Sequence, residues 1–308
     1  MNTFEKARQF IYRNARPLDF ARWQYHFENG SRDAVLAALA AYQNEDGGFG
    51  HALEADSFNP NSCPIQTWAA IGILNEVGMT DSQHPIIQGI LRYLASGADF
   101  DPQHNQWLNV VPTNNDYPCA IWWKYGEKGS GFKYNPTANL AGFILRYADP
   151  ASELYQKAGV IAQEAVAWLL TQENFAEQHV AGCFISLYQY CAEANVRLFD
   201  MDALLRKLSD MLHLCLDGSD AQWGKEYGAF PSDFICSRDD LFYAEHAAIV
   251  AKACDFIKAQ QLPDGSCPVV WQWWTDHKEY EIAANWWKSD ITIKYMRFLR
   301  VFDNTFSA

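Results

Sequence analysis

Basic residues are scarce in this chain: 24 Lys and Arg stand against 37 Asp and Glu, a formal net charge of −13 over 308 residues. A protein that neutralises phosphates needs a cationic face, so nucleic acid is disfavoured as a main partner, and an anionic membrane surface with it. The eight cysteines, at 63, 119, 183, 191, 215, 236, 254 and 267, contain no Cys-x-x-Cys pair. That removes the zinc ribbon and the thioredoxin-type motif. No stretch approaches about 18 consecutive apolar residues, the length needed to span a bilayer as a helix. The opening segment MNTFEKARQFIYRNARPLDF scatters its charges and has no unbroken apolar centre, so no secretory signal is expected and the cytoplasm is the expected location. Strand signals are rare, the best being the short VVW at 269–271.

Helix signals and aromatic residues are abundant. Ser31 precedes RDAVLAALAAYQ as an N-cap with Asp33 in the first turn. Pro64 opens IQTWAAIGILNEV, with Gly78 after it as a stop. Helices are further expected at 4–15, 18–28, 85–95, after Pro136, from Asp149-Pro150 past Leu170, and at about 180–194, 200–216, 239–259 and 286–302. Ser237 and Asp240 have the spacing of a capping box for the helix at 239–259. Long loops rich in Gly, Pro, Asn and Asp lie between some of these, at 44–63, 96–135, 217–238 and 260–285. Such loops are usually functional or disordered, and disorder conflicts with their Trp and Phe content. Of the 12 Trp, nine lie in or beside the long loops, a distribution that favours an aromatic-lined binding cavity for a small molecule.

A weak internal repeat runs through the helices. LAAYQNEDGGFG at 39–50 and FIKAQQLPDGSCPVVW at 256–271 both read helix end, Gln, a few residues, then Asp-Gly; WLLTQENF at 168–175 echoes the first half. Repetition of helix pairs predicts a solenoid or a closed ring, each hairpin burying its face against its neighbours.

With Gln43, Asp46, Gly47, Gly48 and Phe49, and again Gln260, Asp264 and Gly265, the sequence resembles the terpenoid cyclase and protein prenyltransferase superfamily, whose QW-type motif sets Gln, Gly and an aromatic at a helix end. DGGFGHALEAD at 46–56, the Trp pair 122–123, NPTANLAG at 135–142 and DGSCPVVW at 264–271 resemble a bacterial family of single-toroid proteins described as prenyltransferase-like or cyclase-like. The resemblance implies an all-α fold, a single α/α toroid of about six helical hairpins over residues 1–308. It also implies that the Gln bridges the backbone ends of adjacent hairpins. The superfamily's chemical signatures are not repeated here. Asp99-Phe100-Asp101 is DxD rather than DxDD, Asp264, Cys267 and His277 lack the spacing of the prenyltransferase zinc set, and there is no Cys-His-Gly element. No metal ligands are therefore assigned, and the cofactor is left open.

Four constellations are candidates for chemistry. In the first, Asp46, His51, Glu54 and Asp56 follow one another around a Gly-Gly turn, where acid–base groups meet a closely approachable backbone; the competing reading is a turn with solvated carboxylates. The second is the 105–135 region, in which Trp107, Asn115, Trp122, Trp123 and Asn135 suit stacking on a ring or anchoring the loop. Trp271, Trp273 and Trp286 form the third, the first two on one face if the stretch is extended. Asp233 is a separate acid candidate, expected opposite Glu54 or Asp56. Three functions stay open: a cyclase or prenyl-transfer enzyme acting on an isoprenoid, a carbohydrate-active enzyme using two carboxylates and Trp platforms, and a non-catalytic binding protein. For a diphosphate the loose basic set Lys124, Lys128, Lys133, Lys225 and Arg238 is the candidate.

Overall fold

The computed structural model describes residues 2–126 and 133–306; Lys128 of the basic set lies outside them. It is all-helical apart from one two-stranded ribbon. In chain order the helices are α1 (Thr3–Asn14), α2 (Pro17–Phe27), α3 (Arg32–Ala40), α4 (Pro64–Glu76), α5 (Pro85–Ala95) and α6 (Thr137–Tyr147). After them come α7 (Glu153–Thr171), α8 (Gln178–Glu193), α9 (Met201–Leu216), α10 (Tyr243–Gln260) and α11 (Tyr280–Phe302). No described helix is long and apolar enough to cross a membrane.

The helix starts follow local chemistry. Ser31 Oγ accepts from Ala34 N at 3.1 Å, and Pro64 and Pro85 occupy first-turn positions where their missing N–H costs nothing. Three expected boundaries move. The long helix α7 begins at Glu153 rather than at Asp149-Pro150, because Asp149 closes a turn on Ala151 N and Ser152 takes over as N-cap. Helix α10 begins at Tyr243, so Ser237 and Asp240 form no capping box; Asp240 Oδ1 instead accepts from Phe242 N in the preceding turn. Helix α11 starts at Tyr280, earlier than 286. The expected strand at 269–271 is absent. The ribbon is β1 (Phe100–Asp101) against β2 (Gln106–Trp107), antiparallel, its turn held by Asp101 Oδ1 accepting from Gln103 N and His104 N.

Two compact units emerge, one of residues 1–41 with 216–308 and one of residues 42–215. In the second, α6 is the central helix, buried at every position but Arg146, with α7 and α8 packed on it. In the first, α11 packs on α1, α2 and α10.

Each unit contains the same joint, atom for atom. In the second unit Gln43 Nε2 donates to Gly47 O at 2.9 Å and to Ile86 O, at the start of α5, at 3.1 Å. Asp46 Oδ1 closes the turn on Gly48 N at 2.9 Å, and Phe49 N donates to Thr67 Oγ1 on α4 at 3.1 Å. In the first unit Gln261 Nε2 donates to Gly265 O at 3.0 Å and to Thr3 O, at the start of α1, at 2.8 Å. Asp264 Oδ1 closes the turn on Ser266 N at 2.9 Å, and Cys267 N donates to Thr292 Oγ1 on α11 at 2.9 Å. The bridging glutamine is thus Gln261, one residue beyond the Gln260 of the sequence match. Both turns need glycine. Gly47 (φ +95°) and Gly265 (φ +96°) sit in the left-handed region, and a Cβ there would lie 2.0 Å from Gly89 O or 2.1 Å from Lys6 O.

Gly47→Ala and Gly265→Ala are expected to lower the melting temperature strongly, because backbone must move to admit the methyl group. Gly72→Ala, on α4 with nothing within 4 Å of the added Cβ, should gain about 0.5–1 kcal/mol from helix propensity. Thermal and urea melts of the three variants test this, and equal effects at all three sites would contradict the joint.

Candidate functional site

Beyond the Phe49 anchor the chain makes a costly turn. His51 (φ +60°) and Ala52 (φ +58°) are consecutive left-handed residues without glycine, at roughly 1–2 kcal/mol each. Hydrogen bonds hold them: His51 N donates to Asn59 O at 2.9 Å, Leu53 N to Gln66 Oε1 at 2.8 Å, and Gln66 Nε2 to Asn59 O at 3.1 Å. The result is that Glu54 (7% exposed) and Asp56 (3% exposed) are carried inside. Glu54 Oε2 accepts from Asp56 N at 3.2 Å. Strained backbone that buries two carboxylates is a combination associated with function.

The loop itself is braced by polar side chains. Asn59 Nδ2 donates to Thr113 Oγ1 at 2.9 Å and to Asn114 Oδ1 at 2.8 Å, and Asn114 Nδ2 donates to Trp123 O at 2.9 Å. Ala120 N donates to Asp56 O at 2.9 Å, tying the 105–126 segment to the same loop. Asn59, Gln66 and Asn114 are buried; they were not among the sequence candidates, and their only sequence signal is the amide-rich run FNPNS at 58–62. Thiol chemistry is unsuited to this place, since burial raises the pKa of Cys63 to about 12 and that of Cys119 to about 11.

The other candidates are distributed as follows. Asp46 Oδ1 holds the turn and also accepts from Ser62 Oγ at 2.7 Å. His51 is exposed, its Nε2 2.9 Å from Asn44 Oδ1. Trp107 is buried, with its backbone N–H on Thr137 Oγ1, and the Lys157 ammonium lies 3.2 Å from the Phe100 ring centroid and 5.8 Å from that of Trp107. Trp123 packs on Cys63, Ile65 and Val111, while Trp122 is half-buried. Asn115 grips the backbone of Tyr125 through both ends of its carboxamide. Asn135 Oδ1 lies 3.5 Å from Cys183 Sγ.

In the first unit, Trp273 is buried whereas Trp271 is half-buried and edge-on to Tyr227 and Trp287, both at 5.3 Å. Trp274, between them and α11, is 74% exposed. Trp286 lies under the Arg16 guanidinium, 5.3 Å from its ring centroid. Both oxygens of Asp233 are engaged: Oδ2 accepts from Phe230 N at 2.8 Å and Oδ1 pairs with Lys294. Burial opposes the charge on Lys294, but the attraction of Asp233 outweighs it and raises the ammonium pKa. Arg238 is occupied by the carbonyls of Val301 and Phe302 at the end of α11. Among the described residues no three His, Cys, Asp or Glu are grouped to hold a metal ion.

No family model, curated protein or solved structure matches the chain.

Asp99, the first residue of the DxD sequence, accepts from Tyr93 Oη at 2.9 Å. Burial and the nearby Asp46 raise its pKa against that hydrogen bond. Ionising it in the folded state is therefore unfavourable, a penalty absent at low pH that grows as pH rises through the folded pKa. Asp99→Asn keeps an acceptor for Tyr93 and suits the left-handed φ of +54°. Its melting temperature should exceed that of the native protein at neutral pH, with the gap closing as pH falls through the carboxylate range; a variant less stable at neutral pH refutes the assignment.

Proposed function

We propose that the chain is an α/α toroid of the terpenoid cyclase and prenyltransferase-like kind, and an enzyme that uses Glu54 and Asp56 for acid–base chemistry on a polar, ring-shaped small molecule, a carbohydrate. The toroid is supported by the joint's recurrence. One copy joins the turn before α4 to α4 and α5; the other joins the turn after α10 to α11 and α1, so the helix order of the repeat runs on into the first helix, as a ring requires.

The carbohydrate reading is carried by one observation: two carboxylates at least nine-tenths buried on a strained loop that is itself braced by the side chains of Asn59, Gln66, Thr113 and Asn114. Glycoside cleavage uses such a pair, one carboxyl giving its proton to the leaving oxygen while the other carboxylate activates water or attacks the ring carbon. An isoprenoid cavity needs apolar walls, and has its own support in the aromatic row Tyr227, Trp271 and Trp287 of the first unit. The small-molecule ligand and the cytoplasmic location belong to the same reading, and the net charge of −13 weighs against a polyanionic partner.

Incubation with a panel of α- and β-linked oligosaccharides, and in parallel with farnesyl and geranylgeranyl diphosphate, separates the two. The expected result is new reducing ends from an oligosaccharide, falling by about 100-fold or more in Glu54→Gln or Asp56→Asn while the folded state is retained by circular dichroism. Turnover of a diphosphate but of no sugar, or full activity in both variants, would overturn the proposal.

A further inference from the structure

Helix α11 carries Trp286, Asp290 and Lys294 at intervals of four residues, hence on one side and about 6 Å apart along the axis. All three side chains have a charged neighbour. Arg16 lies over the Trp286 ring at 5.3 Å, and Arg22 Nη1 bonds Asp290 Oδ1 at 2.6 Å. Both arginines are anchored on the same fully buried carboxylate, Asp19, through Arg16 Nε at 2.7 Å and Arg22 Nη1 at 3.1 Å. Lys294 is held by Asp233, itself fixed by the Phe230 amide. Exposure separates the group around Asp19 from the rest, Asp233 being 29% exposed. The side chains of Asp19, Arg16 and Arg22 are 0%, 9% and 6% exposed, whereas those of Asp290 and Lys294 are 28% and 36% exposed. A buried ion network gives stability that apolar side chains would match or exceed. What this one adds is a rigid, half-exposed row of an aromatic face, a carboxylate and an ammonium.

We propose that this row is a recognition site for a neutral sugar, taking its ligand class from the carbohydrate reading above and extending over about two linked rings. The Trp286 face stacks on the C–H side of one ring; Asp290 accepts from, and Lys294 donates to, hydroxyls of the next. Charge decides against a phosphate. Arg16, Arg22 and Lys294 are balanced by Asp19, Asp290 and Asp233, so each of these three cations already has a counter-ion. A diphosphate entering it would meet two half-exposed carboxylates and have to displace them.

Titration of the full chain with cellobiose, maltose, chitobiose and inorganic pyrophosphate, followed by calorimetry and tryptophan fluorescence, tests the site. One of the disaccharides should bind. Trp286→Ala should weaken it at least about tenfold and Trp286→Phe, which keeps a flat face, by no more than about threefold. Glu54→Gln should leave this affinity within about twofold while removing turnover, so that binding without any turnover defeats only the acid–base reading. The site itself is overturned if no disaccharide binds, if Trp286→Ala binds as tightly as the native protein, or if pyrophosphate binds and Lys294→Ala abolishes it.

Discussion

One carboxamide group, that of Gln43 or of Gln261, ties two backbone carbonyls together: that of the glycine turn that follows it, and one in the first turn of another helix, α5 or α1. The turn in turn delivers a backbone N–H to a threonine hydroxyl on the intervening helix. Each contact is worth about 1 kcal/mol on its own. Together they fix direction, because a carbonyl passes so close to each glycine α-carbon that no other residue can stand there. The course of the 50–62 loop follows from this, since Phe49 is the last residue the joint fixes and the left-handed pair His51–Ala52 comes directly after it.

The two units handle buried charge differently. The loop that carries Glu54 and Asp56 is braced by amides and a hydroxyl, Asn59 bonding Thr113 and Asn114. Around Asp19 the neighbours are guanidinium groups, and the network closes as an alternation of signs. The second arrangement immobilises its carboxylates. Asp233 belongs to the second kind: its pairing with Lys294 and with the Phe230 amide makes it an organiser of the segment before α10.

Much of the helical frame was legible because its signals are local. Ser31, Pro64 and Pro85 start helices where a side-chain oxygen or a missing N–H makes starting there favourable. Where two polar residues compete, the reading fails: Ser152 displaces Asp149-Pro150 at α7, and Asp240 closes a turn instead of capping α10. The repeated Gln and Asp-Gly were visible as letters, but that Asp46 serves the turn is a matter of which amide its oxygen faces. The candidate loop was readable as titratable. Its support was not, since Asn114 reaches Asn59 from more than fifty residues away and no periodicity marks such a pairing. The tryptophans of the long loops mislead in part, because Trp107 and Trp273 turn inward and serve as the loops' own core.

The contact between Gln261 and Thr3 spans 258 positions of sequence. During synthesis α1 leaves the ribosome long before its glutamine partner exists, and Phe4 must wait longer still for the ring of Phe306. Translation thus passes residue 306 before both of these contacts of α1 can form. In that interval the apolar side of α1, with Phe4, Phe10 and Ile11, lacks its final neighbours on α11 and is a ready substrate for chaperones.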